Sequence, residues 1–231
     1  MKEYCKYLFP LILLFGIIFF TQCEKENFEG LPVDGDGNVY DTVVIGTQTW
    51  MAENLKTTKY NDGSEITLLD DAEKWTSLPV GGYCWYENNP ANKDVYGALY
   101  NEKAIHVETF CPKGWHLPTT GEWTTLIDYL GGGEVAAKKL REQGNFHWIL
   151  LNNKEGTNES GFTARPAGVR QASGNFEFIG YFSIWWALSP SNDKSIYKAV
   201  LAISGIEGGI AIQGAKINGE PGYSVRCVKD D

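Results

Sequence analysis

Helical periodicity is confined to the middle of this chain, and β-type runs crowd its two ends. After Pro118, Thr119 and Glu122 form a T-x-x-E capping box. Trp123, Leu126, Ile127 and Leu130 then recur at i, i+3, i+4 and i+7 before Gly131-Gly132-Gly133. Such a box satisfies two orphan N–H groups of a first turn, and the glycines stop the helix, so Trp123 is expected in the core. A shorter helix is expected over EVAAKKLRE (134–142), with Val135 and Leu140 as a weak apolar face. Toward the front, YDTVVI (40–45) and QTWM (48–51) flank Gly46-Thr47, the signature of a hairpin with a Gly-first turn. Beyond Gly161, short runs read as strands at 162–164, 176–179, 183–188, 197–203, 209–212 and 223–228. Segregation of this kind predicts an α+β domain with one main and one short helix, long irregular loops and an antiparallel sheet. The first hairpin and the last strand are expected to meet in that sheet. No repeat appears at solenoid or propeller periods.

Residues 1–22 stand outside that pattern. Lys2 and Lys6 precede a nearly unbroken apolar run, YLFPLILLFGIIFF (7–20), which turns polar at Thr21-Gln22-Cys23. A basic start and an apolar stretch of about 7–15 residues suit a secretory signal, whereas a membrane-spanning helix needs roughly 20 apolar residues. Phe20-Thr21-Gln22-Cys23 resembles a bacterial lipobox, so Cys23 is expected to carry the lipid anchor. The chain then divides into a signal at 1–22, a flexible tether at 23–38 and one domain at 39–231. Removing 1–22 takes two Lys and one Glu from 20 basic and 29 acidic residues, leaving 18 against 28, a net charge of −10. That sign repels phosphate backbones, and nucleic acid is not an expected partner.

With Cys5 in the signal and Cys23 lipidated, Cys84, Cys111 and Cys227 remain. In an oxidising setting this odd number implies one disulfide and one free thiol. His106, His116 and His147 stand far apart with no Cys/His spacing that suits zinc, and no metal or cofactor is expected. Asp34, Asp36 and Asn38 match the first three ligand positions of a calcium loop. Val39 and Ile45, however, stand where that loop needs Gly and Glu.

Six stretches together carry a resemblance: IGTQTWMAENLKTTKYNDG (45–63), GYCWYENNPA (82–91), YGALYN (96–101), CPKGWHLPTTGEWTTLIDYLGG (111–132), SGFTARPAGVR (160–170) and GYSVRCVKD (222–230). In order and in kind they resemble the Fibrobacter succinogenes major paralogous domain, found in lipoproteins of Bacteroidota and Fibrobacterota. Glu102-Lys103 replace an aromatic pair usual there, and 185–189 (WWALS) departs from a Trp-plus-serines pattern. GWHLPTTGEW and the 222–226 ending are more distantly similar to sulfatase-modifying-factor domains, which implies a C-type-lectin-like fold. Cys111 stands just before the main helix and Cys227 in the last strand; this is the pair expected to be bridged, with Cys84 left as a buried free thiol.

Function is expected to be non-enzymatic. Formylglycine-generating members of the sulfatase-modifying-factor superfamily hold copper between two nearby cysteines, and Cys227 is the only cysteine late in this chain. No carboxylate pair or Ser/His/Asp set is singled out for hydrolysis. His116 reads as a hydrogen-bonded residue at a helix entry. Sugar ligation through calcium has no support, because Glu220-Pro221-Gly222 lacks the third residue of the lectin motif. Aromatics offer the binding route: Trp85, Tyr86, Tyr96 and Trp148 lie on two long aperiodic stretches, 81–101 and 143–158, where flat rings could stack on a glycan or anchor a surface protein. Trp185 and Trp186, adjacent on a strand, must face opposite ways, so at most one is expected to look out. The expected role is adhesion or ligand binding in the cell envelope, lipid-anchored at the outer membrane or cell surface. A structural or assembly role without a small ligand is the alternative, and an oxidase relative ranks third.

Overall fold

A computed structural model describes residues 30–77, 79–150, 155–188, 198–204, 209–215 and 219–231. Cys23 and the apolar run lie outside the described residues. The compact unit begins at Leu31. In chain order the elements are β1 (Thr42–Ile45), β2 (Gln48–Met51), β3 (Thr67–Leu68), α1 (Ala72–Ser77), β4 (Gly82–Cys84), α2 (Lys93–Tyr96), β5 (Leu99–Tyr100), α3 (Glu102–Ile105), β6 (Trp115–His116), α4 (Thr120–Tyr129), α5 (Gly133–Leu140), β7 (Ala167–Arg170), β8 (Phe176–Ile179), β9 (Phe182–Leu188), β10 (Lys198–Ser204), β11 (Ile210–Ala215) and β12 (Val228–Lys229). The fold is α+β. Strand pairing is antiparallel except for β3 with β4 and β7 with β9.

Three sheets share the work, in the orders β1-β2-β12-β6, β11-β10-β9-β7-β8 and β3-β4-β5. The first hairpin turns at Gly46, whose φ of +63° suits a residue without Cβ. As expected, this hairpin takes up the last strand: Val228 pairs with Trp50 on one side and His116 on the other. Alternation along the strands then divides the interior. Trp50, Trp185 and Val228 enter one core with Trp123, Leu126 and Phe162; Met51, Trp186 and Cys227 enter a second with Tyr40, Leu55 and Tyr100. Trp185 and Trp186 do face opposite ways, yet neither looks out, because β9 is covered on both faces. A third, smaller core gathers Leu69, Trp75, Cys84, Tyr86 and Leu99.

Helix α4 forms as its sequence requires. Thr119 Oγ1 accepts from the Glu122 amide at 3.2 Å, and Glu122 Oε2 accepts from the Thr119 amide at 2.7 Å. Trp123 is buried, with its ring 4.4 Å from that of Trp50. Glu122 also reaches back to His116. The imidazole Nε2 and Nδ1 stand 2.7 Å from Glu122 Oε1 and 2.7 Å from Asp230 Oδ1. Both nitrogens can donate to carboxylates only as an imidazolium. Burial pushes the His116 pKa down, but the hydrogen bonds and charges of Asp230 and Glu122 prevail and hold it above its usual value. A single ring thus ties the segment after β12 to the entry of α4, in the structural role expected for it.

Cys111 and Cys227 are bridged with Cα atoms 6.1 Å apart, and Cys84 is free and buried. Burial pushes the Cys84 thiol up to about 12, even with the Arg170 guanidinium opposing, so it stays protonated.

Several expectations need correction: Val135, expected on the apolar face of α5, is 51% exposed while Ala136, Ala137 and Leu140 are buried, and the last strand spans Val228–Lys229 instead of 223–228. Residues 31–38 do not hang as tether. Asp34 is buried, and its carboxylate accepts from the amides of Asp36 (3.0 Å) and Asn38 (2.9 Å), from Asn38 Nδ2 (2.8 Å) and from the Tyr40 hydroxyl. Asp36 in turn accepts from Thr58. The calcium-like Asp-Gly-Asp-Gly-Asn run is therefore a turn stapled to the domain by its own carboxylates. No strand forms at 162–164, because Thr163 adopts φ +55°, a conformation rare for a β-branched residue. Only an isolated bridge from Ala164 to Arg141 remains there.

Candidate functional site

Where the described residues leave a polar cleft, four of the six quoted stretches converge. Asn54, from MAENL, is buried, and its Oδ1 accepts from Trp185 Nε1 (2.8 Å), Arg226 Nε (3.1 Å) and Arg226 Nη2 (2.8 Å). Its Nδ2 donates to the Tyr96 carbonyl at 2.9 Å. Gly97, from YGALYN, has φ +74°, and a Cβ there would lie 2.7 Å from that of Asn54. Only glycine lets the 96–98 backbone close over Asn54. Arg226, from GYSVRC, also donates through Nη1 to the carbonyls of Ala52 (3.3 Å) and Phe162, and its guanidinium stacks 4.0 Å from the Phe162 ring. SGFTARP supplies Phe162, the constrained Thr163 and Arg165. Asn158 holds Thr163 from both sides, accepting from its amide at 2.8 Å and donating to its hydroxyl at 3.0 Å.

Together Asp41, Asn54, Asp94, Thr163, Arg165 and Arg226 help line a cleft of about 350 Å³, a volume at the small end for ligand sites. Four of the five N–H groups of Arg226 are used by Asn54, Ala52 and Phe162; the fifth has no acceptor among the described residues. No carboxylate stands within ion-pair distance of it there. Burial draws its pKa down to about 9, so it keeps its charge at neutral pH. The rim is acidic. Glu53 and Asp94 share Lys56 at 3.1 and 3.4 Å, while Asp41 is exposed. Beside the cleft Arg165 reaches Glu142 Oε2 at 3.3 Å and the Val95 carbonyl at 3.1 Å. Glu142 also takes His147 Nδ1 at 2.8 Å, and the His147 ring meets Tyr96 edge-on at 5.7 Å. The Tyr96 hydroxyl is pushed up by burial and by the Glu142 charge, with Arg165 opposing.

This convergence gives the quoted stretches a common purpose, a hydrogen-bonded keystone under a polar opening. A model of the Fibrobacter succinogenes major domain matches residues 43–229. The chain belongs to that family. No curated protein and no solved structure matches the chain.

The four aromatic rings singled out from the sequence are dispersed. Trp85 is 8% exposed and packs edge-on to Tyr83; Tyr86, at 4%, packs on Phe176 in the third core; Trp148, at 3%, donates from Nε1 to the Ala164 carbonyl at 2.9 Å. Tyr96, half-buried, does not line the cleft but lies next to it, its carbonyl accepting from Asn54 Nδ2. The expectation of exposed stacking rings is therefore corrected for Trp85, Tyr86 and Trp148: an aperiodic stretch in this domain folds inward and supplies core. On the 143–158 stretch the ring that does face out is Phe146, 87% exposed. Asn54, Arg165 and Arg226 were not singled out; the quoted stretches that contain them were the available signal.

Proposed function

We propose that the protein is held in the cell envelope by a lipid on Cys23, at the outer membrane or cell surface, and that its domain binds a polar ligand at the Asn54–Arg226 cleft without turning it over. The observation that carries this reading is the charge of Arg226, buried beneath a small opening with one N–H unused, beside an exposed Asp41 and the Arg165 guanidinium. Such a floor and rim suit a hydrogen-bonding partner, a glycan or a polar segment of a surface protein, and give nucleic acid no cationic face.

Two experiments bear on it. Cys23→Ser should leave the membrane fraction and lose palmitate labelling, because nothing else joins an apolar run to a polar start. Persistence in salt-washed membranes would refute the anchor. The lipid-free Cys23→Ser protein, screened on a glycan array and against envelope proteins, should retain a ligand. Asp41→Asn should then weaken it about tenfold, the cost of losing a hydrogen bond to a charged group, at little change in melting temperature. Blank screens would favour the second reading, a structural or assembly component of the envelope, which the burial of Trp85, Tyr86 and Trp148 already favours over aromatic stacking.

A further inference from the structure

A single exposed phenylalanine is ordinary on a protein surface. Phe146 is set apart by what stands beside it. Its residue is 87% exposed, and its ring meets the His147 imidazole nearly at right angles, with centroids 4.8 Å apart. Glu142 clamps that imidazole: both carboxylate oxygens lie 2.8 Å from Nδ1, and Oε1 also accepts from the His147 amide at 3.2 Å. A carboxylate only accepts, so Nδ1 carries a proton whether the ring is neutral or charged, and Nε2 is the nitrogen left to serve something else. Among the described residues Nε2 has no partner, and it is not shut off from solvent. The backbone here is fixed as well. Trp148, next in the chain, is anchored in the core through its Nε1, and the Ile149 amide donates to the Gly180 carbonyl at 2.7 Å. An open apolar ring and an oriented polar atom are thus held side by side on a firm support.

This pair adjoins the Arg226 cleft. Arg165, which lines the cleft, donates from Nε to the same Glu142 Oε2 at 3.3 Å, so one carboxylate joins the imidazole to the cleft wall. Tyr96, whose carbonyl accepts from Asn54, meets the imidazole edge-on at 5.7 Å. We propose that Phe146 and His147 form a sugar subsite beside that cleft and that the ligand is a neutral glycan: one pyranose lays its C–H face on Phe146 while a hydroxyl hydrogen-bonds Nε2. The inference rests on the cleft reading and narrows it from polar ligands in general to glycans. A hydroxyl suits Nε2 because it can donate to a neutral imidazole or accept from a charged one. Sugars combine such hydroxyls with an apolar ring face, which is the combination that Phe146 and His147 present. Neutrality follows from the acidic rim, where Asp41, Glu53 and Asp94 would repel an anionic sugar.

The test places the lipid-free Cys23→Ser protein on an array of neutral glycans and follows the best hit by titration calorimetry. Phe146→Ala should weaken binding about tenfold, the effect of losing one stacked ring, at an unchanged melting temperature. Phe146→Trp should match or exceed wild-type affinity. His147→Phe, which keeps a ring but no acceptor, should bind several-fold more weakly, and in the wild type the bound glycan should shift the ¹⁵N resonance of His147 Nε2. Subsite and cleft are separable in these results. A glycan whose binding falls in Asp41→Asn but is unchanged in Phe146→Ala overturns the subsite and leaves the cleft standing. Equal losses in Phe146→Trp and Phe146→Ala show that the ring does not stack on the ligand and also overturn it. A blank glycan array overturns it as well; the cleft reading then stands only on an envelope protein whose binding falls in Asp41→Asn.

Discussion

Replacing Cys111 and Cys227 together by Ser should cost the domain about 4–5 kcal/mol, the largest effect expected of any change discussed. The bridge closes a sequence separation of 116 residues, and in the chain-entropy model a loop of that size restricts the unfolded state by this amount. Native packing adds to the argument, since both half-cystines sit in the second core beside Tyr100 and Trp186. For a domain of this length the loss corresponds to a fall in melting temperature on the order of 10–20 °C. Thermal unfolding of the double variant beside oxidised wild type reads it directly. Equal melting temperatures would show that the bridge contributes nothing, and a Cys84–Cys111 or Cys84–Cys227 peptide in a non-reducing digest would show that the pairing is wrong.

Trp148→Ala should come next, at roughly 3–5 kcal/mol, the usual range for removing a large buried aromatic. Its indole fills space in the core of Trp123, Leu140 and Trp185, and removing it also leaves the Ala164 carbonyl without its donor. Trp85→Ala should fall toward the lower end of the same range, because an edge of that ring reaches solvent and Lys93 lies 5.8 Å above it. Denaturant midpoints of both variants check this. Near-wild-type stability with a lost ligand would instead return these rings to the surface role first expected of them.

The failure of that expectation has a physical origin. Periodicity reports an element with one wet face, and it served well for α4, for the β1–β2 hairpin and for β8 to β11, each found within a few residues of its expected place. It is silent on β7, where all four residues are buried and no alternation exists to read. It is equally silent on the 81–101 and 143–158 stretches: absence of a period says only that the backbone is irregular, and irregular backbone can still pack inward. The Asp34 turn misled in the opposite sense, because an acidic, glycine-rich run looks solvated until its carboxylate finds four donors. Buried arginines are hardest of all. Composition places Arg at the surface, and nothing local to Arg141, Arg170 or Arg226 announces that carbonyls and rings from remote segments will enclose them. Only the family resemblance marked the stretches that hold Arg170 and Arg226, and it did so without saying why.

The seating of β12 between β2 and β6 sets the order in which this domain can form. Trp50 and Val228 are neighbours in space but 178 positions apart (228 − 50), and Cys111 likewise waits for Cys227. Pairings of such long sequence separation exact their loop-closure entropy before they return any contact energy, which slows folding. As the chain emerges from its N-terminus, β1 and β2 stand as a lone ribbon, marginal in water. Until residues beyond 222 arrive, neither of the two large cores can be sealed. Closure of the two large cores is therefore a late step that waits until nearly all of the domain has been made.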